Sequence, residues 1–241
     1  MLRPFEISLS FLSILKIQVE PPPNLTDVGK AAWTFPLVGL VIGVILVGES
    51  LLLRDILPPT ITAMVIIITW VVFTGGLHLD GWTDCWDALG AAAGPERRLD
   101  ILKDPRLGTF GALGLILLVL AKVFAVADSD MPAMNLVIAP IVGRGVMAIA
   151  FYGTRRAGQG MAAAFVSGLD SGVVARSLLI VVIAAVAAGL TGIIGAIAAF
   201  GAAVGFRRLA EARLNMVNGD VIGASCELAE TVVLLVGTAR F

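Results

Sequence analysis

Charged residues are scarce in this chain of 241 residues: they make up 15% of it, against roughly 25% in soluble domains. Hydrophobic residues make up 58%, and the mean hydropathy is +0.97. This composition excludes an ordinary soluble domain and predicts a protein that crosses a lipid bilayer several times. The net charge of -1 and the lack of a basic run give no reason to expect a nucleic acid as partner.

Cysteine and histidine are also rare. The two cysteines, Cys85 and Cys226, do not have the spacing of a metal-binding motif, and we expect neither a disulfide nor a metal role for them. The only histidine is His78. No repeat, low-complexity tract or soluble domain is visible, so residues 1–241 are predicted to form one integral membrane domain.

Long apolar segments predict an all-α, polytopic helical bundle with about seven spans. The predicted spans are Trp33 to Leu53, Pro59 to Thr74, Phe110 to Ala127, Pro132 to Tyr152, two helices within Val173 to Phe206 that are separated at Leu190 to Gly192, and a last helix that carries Asp220, Glu227 and Glu230. An interfacial helix is predicted within residues 1–20, where Phe5, Leu9, Leu12 and Leu15 fall on or near one side.

The distribution of lysine and arginine predicts the orientation. With two helices in the stretch 173–206, most basic loop residues fall on one side of the membrane, and only Arg54 and Arg240 fall on the other. A single long helix would weaken this bias, so two helices are favoured. By the positive-inside rule, the polar segment 75–109 then faces the cytoplasm, in a multi-pass protein of the cell membrane.

Segment 75–109 concentrates carboxylates. Asp80, Asp84 and Asp87 are spaced i, i+4 and i+7, which places all three on one face of a helix. Carboxylates this close repel one another unless a cation binds them, and Mg²⁺ in phosphate-handling enzymes takes oxygen ligands of this kind. The spacing therefore predicts a magnesium site.

The same segment supplies the other groups that phosphorus chemistry needs. Lys103 and Arg106 are close enough in sequence to bind phosphate oxygens. His78 is a candidate base for a hydroxyl proton, with a structural hydrogen-bonding role as the alternative. Together these residues predict a metal-dependent phosphotransfer enzyme in the membrane.

Four charged residues interrupt the apolar helices and are expected to face the protein interior: Lys122, Arg144, Glu227 and Glu230. Two interpretations are open. The glutamates pair with Lys122 or Arg144, or Glu227 joins Asp220 in a second acidic face that meets the first.

Four ordered motifs extend over most of the chain: GGLHLDG at 75–81 with Asp84 and Asp87, KDxRxGxFG at 103–111, FPLVG at 35–39, and GDVIGA at 219–224 with Glu227. Together they resemble the signature of the cobalamin synthase family, the adenosylcobinamide-GDP ribazoletransferases. A weaker similarity, through the Asp80-Gly81 region, is to CDP-alcohol phosphotransferases.

The resemblance implies a transferase that joins adenosylcobinamide-GDP to α-ribazole or its 5'-phosphate, giving adenosylcobalamin or its 5'-phosphate and GMP. These two substrates and the lipid bilayer are then the partners, and a homo-oligomeric state is left open. The residue roles that follow are catalysis and Mg²⁺ binding by Asp80, Asp84 and Asp87, proton transfer by His78 or a carboxylate, and substrate binding by Lys103, Asp104, Arg106, Asp220 and Glu227.

Two other functions are kept as alternatives. The first is a lipid-synthesising enzyme of the CDP-alcohol phosphotransferase type. The second is a transporter that relays a cation or metabolite through Lys122, Arg144, Glu227 and Glu230, although the charges cluster on one side rather than along a path through the membrane.

Overall fold

The computed structural model describes residues 2–129, 132–158 and 160–239. Over these ranges the chain forms twelve α-helices and one 3₁₀ helix, without a β-strand, which confirms the all-α prediction. An isolated β-bridge joins Ala157 to Val217. The α-helices in chain order are α1 (Leu2–Leu12), α2 (Leu25–Ala31), α3 (Phe35–Leu53), α4 (Pro59–Thr74), α5 (Leu77–Gly90), α6 (Pro95–Leu102), α7 (Thr109–Ala127), α8 (Pro132–Ile149), α9 (Met161–Gly168), α10 (Ser171–Ala187), α11 (Gly189–Leu214) and α12 (Gly219–Val236).

Four continuous helical segments of the described chain are long and apolar enough to cross a membrane: Leu25–Leu53, Thr109–Ala127, Pro132–Ile149 and Gly189–Leu214. Two bent pairs raise the number to six if each pair is one span; α4 and α5 meet at 96°, and α9 and α10 meet at 85°. The protein is therefore a polytopic helical membrane protein, as predicted. Of the seven predicted spans, α12 is the one outside these candidates, because it carries three carboxylates.

Helix boundaries lie close to those predicted for most spans, and α4 covers the predicted range of Pro59 to Thr74. The long apolar stretch is two helices, as expected, with the break at Gly189, whose φ of 71° is left-handed and suits glycine. α11 then continues to Leu214, so Arg207 and Arg208 belong to the helix rather than to a loop. Arg240, placed on the outer side by the sequence, lies outside the described residues.

Helix α12 occupies the centre of the bundle and packs against α5, α8 and α11. Most of its residues are buried. Helices α3 and α8 also pack closely, because Gly39 lies directly against the backbone of Pro140 and a Cβ at this position would collide with it. This contact gives a packing reason for the glycine of the FPLVG motif.

The predicted N-terminal helix is present as α1, over a shorter range than residues 1–20. Ile7, Ser8 and Leu12 are buried against the rest of the chain. The Ser8 hydroxyl lies 2.7 Å from the Thr34 hydroxyl at the start of α3. Helix α1 thus packs against the bundle. Its position at a membrane interface stays a prediction.

Candidate active site

A sharp turn places the acidic helix at the edge of the bundle. Helix α4 ends at Gly75 and Gly76, which have φ values of 66° and 67°. Two consecutive left-handed residues are costly for any residue with a Cβ, so glycine is required here. The turn directs α5 at 96° to α4, and it explains the glycine pair that opens the GGLHLDG motif.

Glycines also bring α5 against α12. A Cβ at Gly81 would lie 2.8 Å from the Asp220 Cα atom, and one at Gly223 would lie 3.3 Å from the His78 Cα atom. Because neither glycine carries a side chain, the two helix backbones approach closely. The structure therefore places Asp220 of α12 beside the carboxylates of α5.

The carboxylates of this region influence one another. Burial raises the pKa of Asp84 to about 6, and the charges of Asp80, Asp220 and Asp87 add to the increase. Burial also raises the pKa of Asp220, opposed by a hydrogen bond of 2.5 Å that the Asn218 amide donates to it. Carboxylates of both helices therefore lie close together where α5 meets the first turn of α12.

Asp87 has a different environment from the other two aspartates of α5. Its Oδ2 accepts a hydrogen bond from the Gly108 amide, and its Oδ1 accepts one from the Gly111 amide, both at 2.8 Å. Asp87 thus caps the N-terminus of α7, where a negative charge also favours the helix dipole. A Cβ at Gly108 or Gly111 would collide with this carboxylate, which accounts for both glycines of the KDxRxGxFG motif.

The magnesium site predicted from Asp80, Asp84 and Asp87 is not formed as a trio of converging ligands. Among the described residues, no three His, Cys, Asp or Glu side chains are arranged to hold a metal ion by themselves. The reason is the capping role of Asp87, which helical spacing alone does not reveal. Asp80 is exposed and Asp84 is half-buried, so both carboxylates remain accessible at the surface of α5.

Asp80 lies between two cavities. On one side is a cavity of about 160 Å³, here called the His78 cavity, whose polar side chains are His78, Asp80 and Asp220. On the other side is an open groove of about 520 Å³, here called the Leu107 groove, which Asp80 lines together with Thr83 and Leu107. One carboxylate therefore borders two spaces of different size and polarity.

His78 is 4% exposed, and neither ring nitrogen has a hydrogen-bond partner among the described residues. Burial lowers the pKa of His78 to about 3, with a further lowering by Arg144 and Lys122 against an opposing effect of Glu227. The ring is therefore neutral at physiological pH. The proton-accepting role considered for it from sequence stays a prediction.

The predicted phosphate-binding residues lie in the loop between α6 and α7. The Arg106 guanidinium donates to both carboxylate oxygens of Asp104, at 2.9 and 2.6 Å. These hydrogen bonds hold the pKa of Asp104 at about 2. Lys103 and Arg106 are exposed, and Leu107 of the same loop lines the Leu107 groove. Asp104 is therefore paired with Arg106 in this loop, and substrate binding by Lys103, Asp104 and Arg106 stays a prediction.

The charged residues of the apolar helices form a buried network. The Lys122 ammonium lies 2.5 Å from Glu227 and 2.6 Å from Glu230, and Glu230 also pairs with Arg144. The Lys122 ammonium is 4.7 Å from the centre of the Trp70 ring. The pairing interpretation is thus confirmed.

Glu227, which was predicted to bind substrate, belongs to this network, and its role toward a substrate stays a prediction. Its carboxylate is 5% exposed, is bound to Lys122, and does not line the His78 cavity. The helical spacing of Asp220 and Glu227 placed them on nearly one face. However, they are two turns apart, so Asp220 reaches the cavity at the helix start while Glu227 lies deeper in the bundle.

Sequence reasoning missed several residues of the site. Asn218 caps α12 and donates to Asp220, and an asparagine directly before a helix that opens with an acidic residue is a recognisable signal for such a cap. Phe11, Met147 and Phe165 line the His78 cavity from three separate helices. No local pattern could have indicated that they meet.

The fold and the site together define a helical membrane protein in which carboxylates line two cavities that share Asp80, with Lys103 and Arg106 exposed in a loop that borders one of them. Carboxylates and cations are the groups that phosphorus-containing substrates require. A family model described as cobalamin-5-phosphate synthase matches residues 4–238. The chain belongs to the cobalamin-5-phosphate synthase family, and it is a transferase.

Curated relatives cover nearly the whole chain. Proteins from Pseudomonas savastanoi pv. phaseolicola, Brevibacillus brevis and Pseudomonas fluorescens strain Pf-5 are each 37% identical to it. The alignments cover 96%, 94% and 99% of this chain and 97%, 96% and 99% of the respective relatives. All three relatives are named adenosylcobinamide-GDP ribazoletransferase. No solved structure matches the chain.

Proposed function

We propose that this protein joins adenosylcobinamide-GDP to α-ribazole or its 5'-phosphate, forming adenosylcobalamin or its 5'-phosphate and releasing GMP. Family membership supports the reaction class. The observation that carries the proposal is the position of Asp80 between the His78 cavity and the Leu107 groove. A reaction between two substrates needs two neighbouring binding spaces with the reacting atoms at their junction.

In the proposed reaction a hydroxyl oxygen of the ribazole attacks the phosphorus that is linked to cobinamide. A new oxygen–phosphorus bond forms, the bond to the GMP oxygen breaks, and the hydroxyl proton passes to a base. Asp220 is placed to be this base, because it lines the His78 cavity and burial raises its pKa. The proton then resides on the Asp220 carboxylate.

Mg²⁺ binding is proposed for Asp80 and Asp84. Mg²⁺ commonly uses one or two carboxylates together with waters and substrate phosphate oxygens, so a preformed trio is not required. The donor set fits, because Asp80 is exposed and Asp84 is half-buried on the same helix, and carboxylate oxygens are ligands that Mg²⁺ takes. When bound, the ion would neutralise charge on the diphosphate oxygens. Asp87 is left out, since its two oxygens hold the start of α7.

The departing GMP is assigned to the side of Lys103 and Arg106. Both side chains are exposed in the loop that borders the Leu107 groove, and Asp104 holds the Arg106 guanidinium in a fixed orientation. A planar guanidinium binds phosphate oxygens in pairs. These two cations stabilise the charge that develops on the leaving group.

We further propose that this site faces the cytoplasm in the cell membrane. The support is the distribution of lysine and arginine, which places segment 75–109 on the basic side. Labelling of single cysteines introduced at Arg97 and Arg54 in intact cells tests this orientation, because an impermeant reagent should reach only the second. Labelling at Arg97 would reverse it.

The reaction is tested with purified protein in lipid nanodiscs, adenosylcobinamide-GDP, α-ribazole and Mg²⁺, by measuring release of GMP. Asp80→Asn and Asp84→Asn are expected to lower the rate by about a hundredfold or more. Asp100→Asn is the matched control, because this aspartate is exposed and pairs only with Arg97 among the described residues. Near-normal Mg²⁺-dependent rates in both site variants would refute the assignment.

The same assay separates the alternatives. Release of CMP from a CDP-alcohol, without GMP release from adenosylcobinamide-GDP, would identify a lipid-synthesising enzyme instead. Substrate flux across proteoliposomes without phosphate-bond cleavage would identify a transporter. The buried network argues against a relay, since its four charged side chains are paired with one another and are all 5% exposed or less.

A further inference from the structure

We propose that the His78 cavity receives the aromatic base of the ribazole, and that a ring N–H of His78 donates a hydrogen bond to the free ring nitrogen of that base. The inference rests on the proposed function and assigns one substrate to one cavity. It also makes His78 a residue that selects among acceptor nucleosides rather than a proton acceptor.

The unsatisfied nitrogens of His78 are the first observation. A neutral histidine carries one N–H donor and one acceptor nitrogen. Both nitrogens are buried in the described structure without a partner. Buried polar atoms are rarely left this way, because losing water without gaining a partner is unfavourable. An acceptor atom of a ligand in the cavity supplies the partner for the N–H.

The walls of the cavity are the second observation. Apart from His78, Asp80 and Asp220, its lining is apolar or glycine, with two aromatic rings from Phe11 and Phe165. Its volume is about 160 Å³, and apolar cavities of about 150 Å³ bind benzene. The cavity therefore suits a flat aromatic group that carries few polar atoms.

The polarity of the cavity distinguishes the two substrates. Guanine has two acceptors, O6 and N7, besides its donors, and His78 is the one side chain in the lining that can donate an N–H, so an acceptor of guanine would be left unpaired. The base of α-ribazole, a substituted benzimidazole, has one ring nitrogen that is free to accept a hydrogen bond. His78 alone satisfies it.

The positions of the two carboxylates that line the His78 cavity agree with this assignment. Asp80 and Asp220 are the acidic residues that line the cavity, and Asp80 also borders the groove assigned to GMP. With the base inside, the attached ribose projects toward these carboxylates. Its hydroxyl then lies at the junction where the proposed attack on phosphorus occurs.

The proposal is tested by equilibrium dialysis of two nucleosides against the full chain in lipid nanodiscs, in the absence of adenosylcobinamide-GDP. One is α-ribazole, and the other is the α-riboside of a phenol, whose base has no ring nitrogen. In His78→Phe, which keeps a flat ring but loses the donor, the Kd for α-ribazole should rise about tenfold. The Kd for the phenolic riboside should stay the same.

Two further variants keep the test decisive. Ser177→Ala is the matched control. It removes a different buried polar group, a hydroxyl without a partner in the described structure, which lies on α10 and outside the cavity lining. It should leave both Kd values unchanged. Ala162→Leu narrows the cavity without touching His78, and it should weaken both nucleosides while binding of GDP is unaffected.

Three results would overturn the proposal. The first is an equal increase in the Kd of both nucleosides in His78→Phe, and the second is an unchanged Kd for α-ribazole in that variant. The third is weaker GDP binding in Ala162→Leu. Failure of the proposed function looks different. In that case wild-type protein supplied with both substrates and Mg²⁺ would release no GMP, whatever the dialysis shows.

Discussion

Replacing Asp87 by asparagine separates the role suggested by helical spacing from the role shown by the structure. The Asp87 carboxylate accepts one hydrogen bond from the Gly108 amide and one from the Gly111 amide. Asparagine keeps a single acceptor oxygen, so one of these bonds is lost, at about 1.5–3 kcal/mol for a bond to a charged group. Loss of the negative charge at the start of α7 adds about 0.3–1 kcal/mol.

We therefore expect Asp87→Asn to destabilise the protein by about 2–4 kcal/mol. For a chain of this size the corresponding decrease in Tm is about 10 °C. The assay is thermal unfolding of purified protein in nanodiscs, combined with the Mg²⁺ concentration that gives half-maximal GMP release. Asp87→Asn should lower Tm and leave the Mg²⁺ requirement unchanged.

Asp84→Asn is the comparison variant, because Asp84 lies one turn earlier on the same helix. In the described structure its carboxylate does not accept hydrogen bonds from the loop before α7, whereas that of Asp87 does. It should raise the Mg²⁺ requirement with little change in Tm. A higher Mg²⁺ requirement in Asp87→Asn, with Tm unchanged, would refute the capping argument and restore Asp87 as a metal ligand.

Two further predictions concern packing and buried charge. Glu230→Gln should lower the free energy of unfolding by about 3–5 kcal/mol, because it leaves Lys122 and Arg144 facing one carboxylate. Thermal unfolding measures this change. Glu49→Gln is the control and should change the free energy of unfolding little, because Glu49 lies in a span but accepts a hydrogen bond from Thr69. Equal Tm values for these two variants would contradict the network. Gly81→Ala should separate α5 from Asp220 and reduce GMP release, whereas Gly94→Ala, with open space around it, should keep wild-type activity. Full activity of Gly81→Ala would show that the close approach is not needed.

The sequence predicts the helices of this protein well, because each apolar stretch has a clear beginning and end. Prolines start α4, glycines end it, and the observed bounds agree with the predicted ones. The pairing of Lys122 with glutamates was predicted because an unpaired charge within an apolar membrane helix has a high free energy. Local patterns and burial energies were sufficient for these features.

Contacts between distant segments were harder to predict. The i, i+4, i+7 spacing correctly groups Asp80, Asp84 and Asp87 on one helix, but it cannot show that Gly108 and Gly111 approach the third aspartate. The His78 cavity likewise depends on how separate helices pack together. Apolar length also predicted α12 as a helix but could not show that it lies at the centre of the bundle.

The buried network also determines when this protein can finish folding during its synthesis. Lys122 precedes its partner Glu227 by 105 residues, a delay of about 5–20 s at ordinary rates of translation. For that time Lys122 and Arg144 are already part of the growing chain without their carboxylates. Because α12 carries both the glutamates and Asp220, its arrival neutralises the interior and completes the site in a single step. A chain that ends before this helix would therefore hold Lys122 and Arg144 without Glu227 and Glu230.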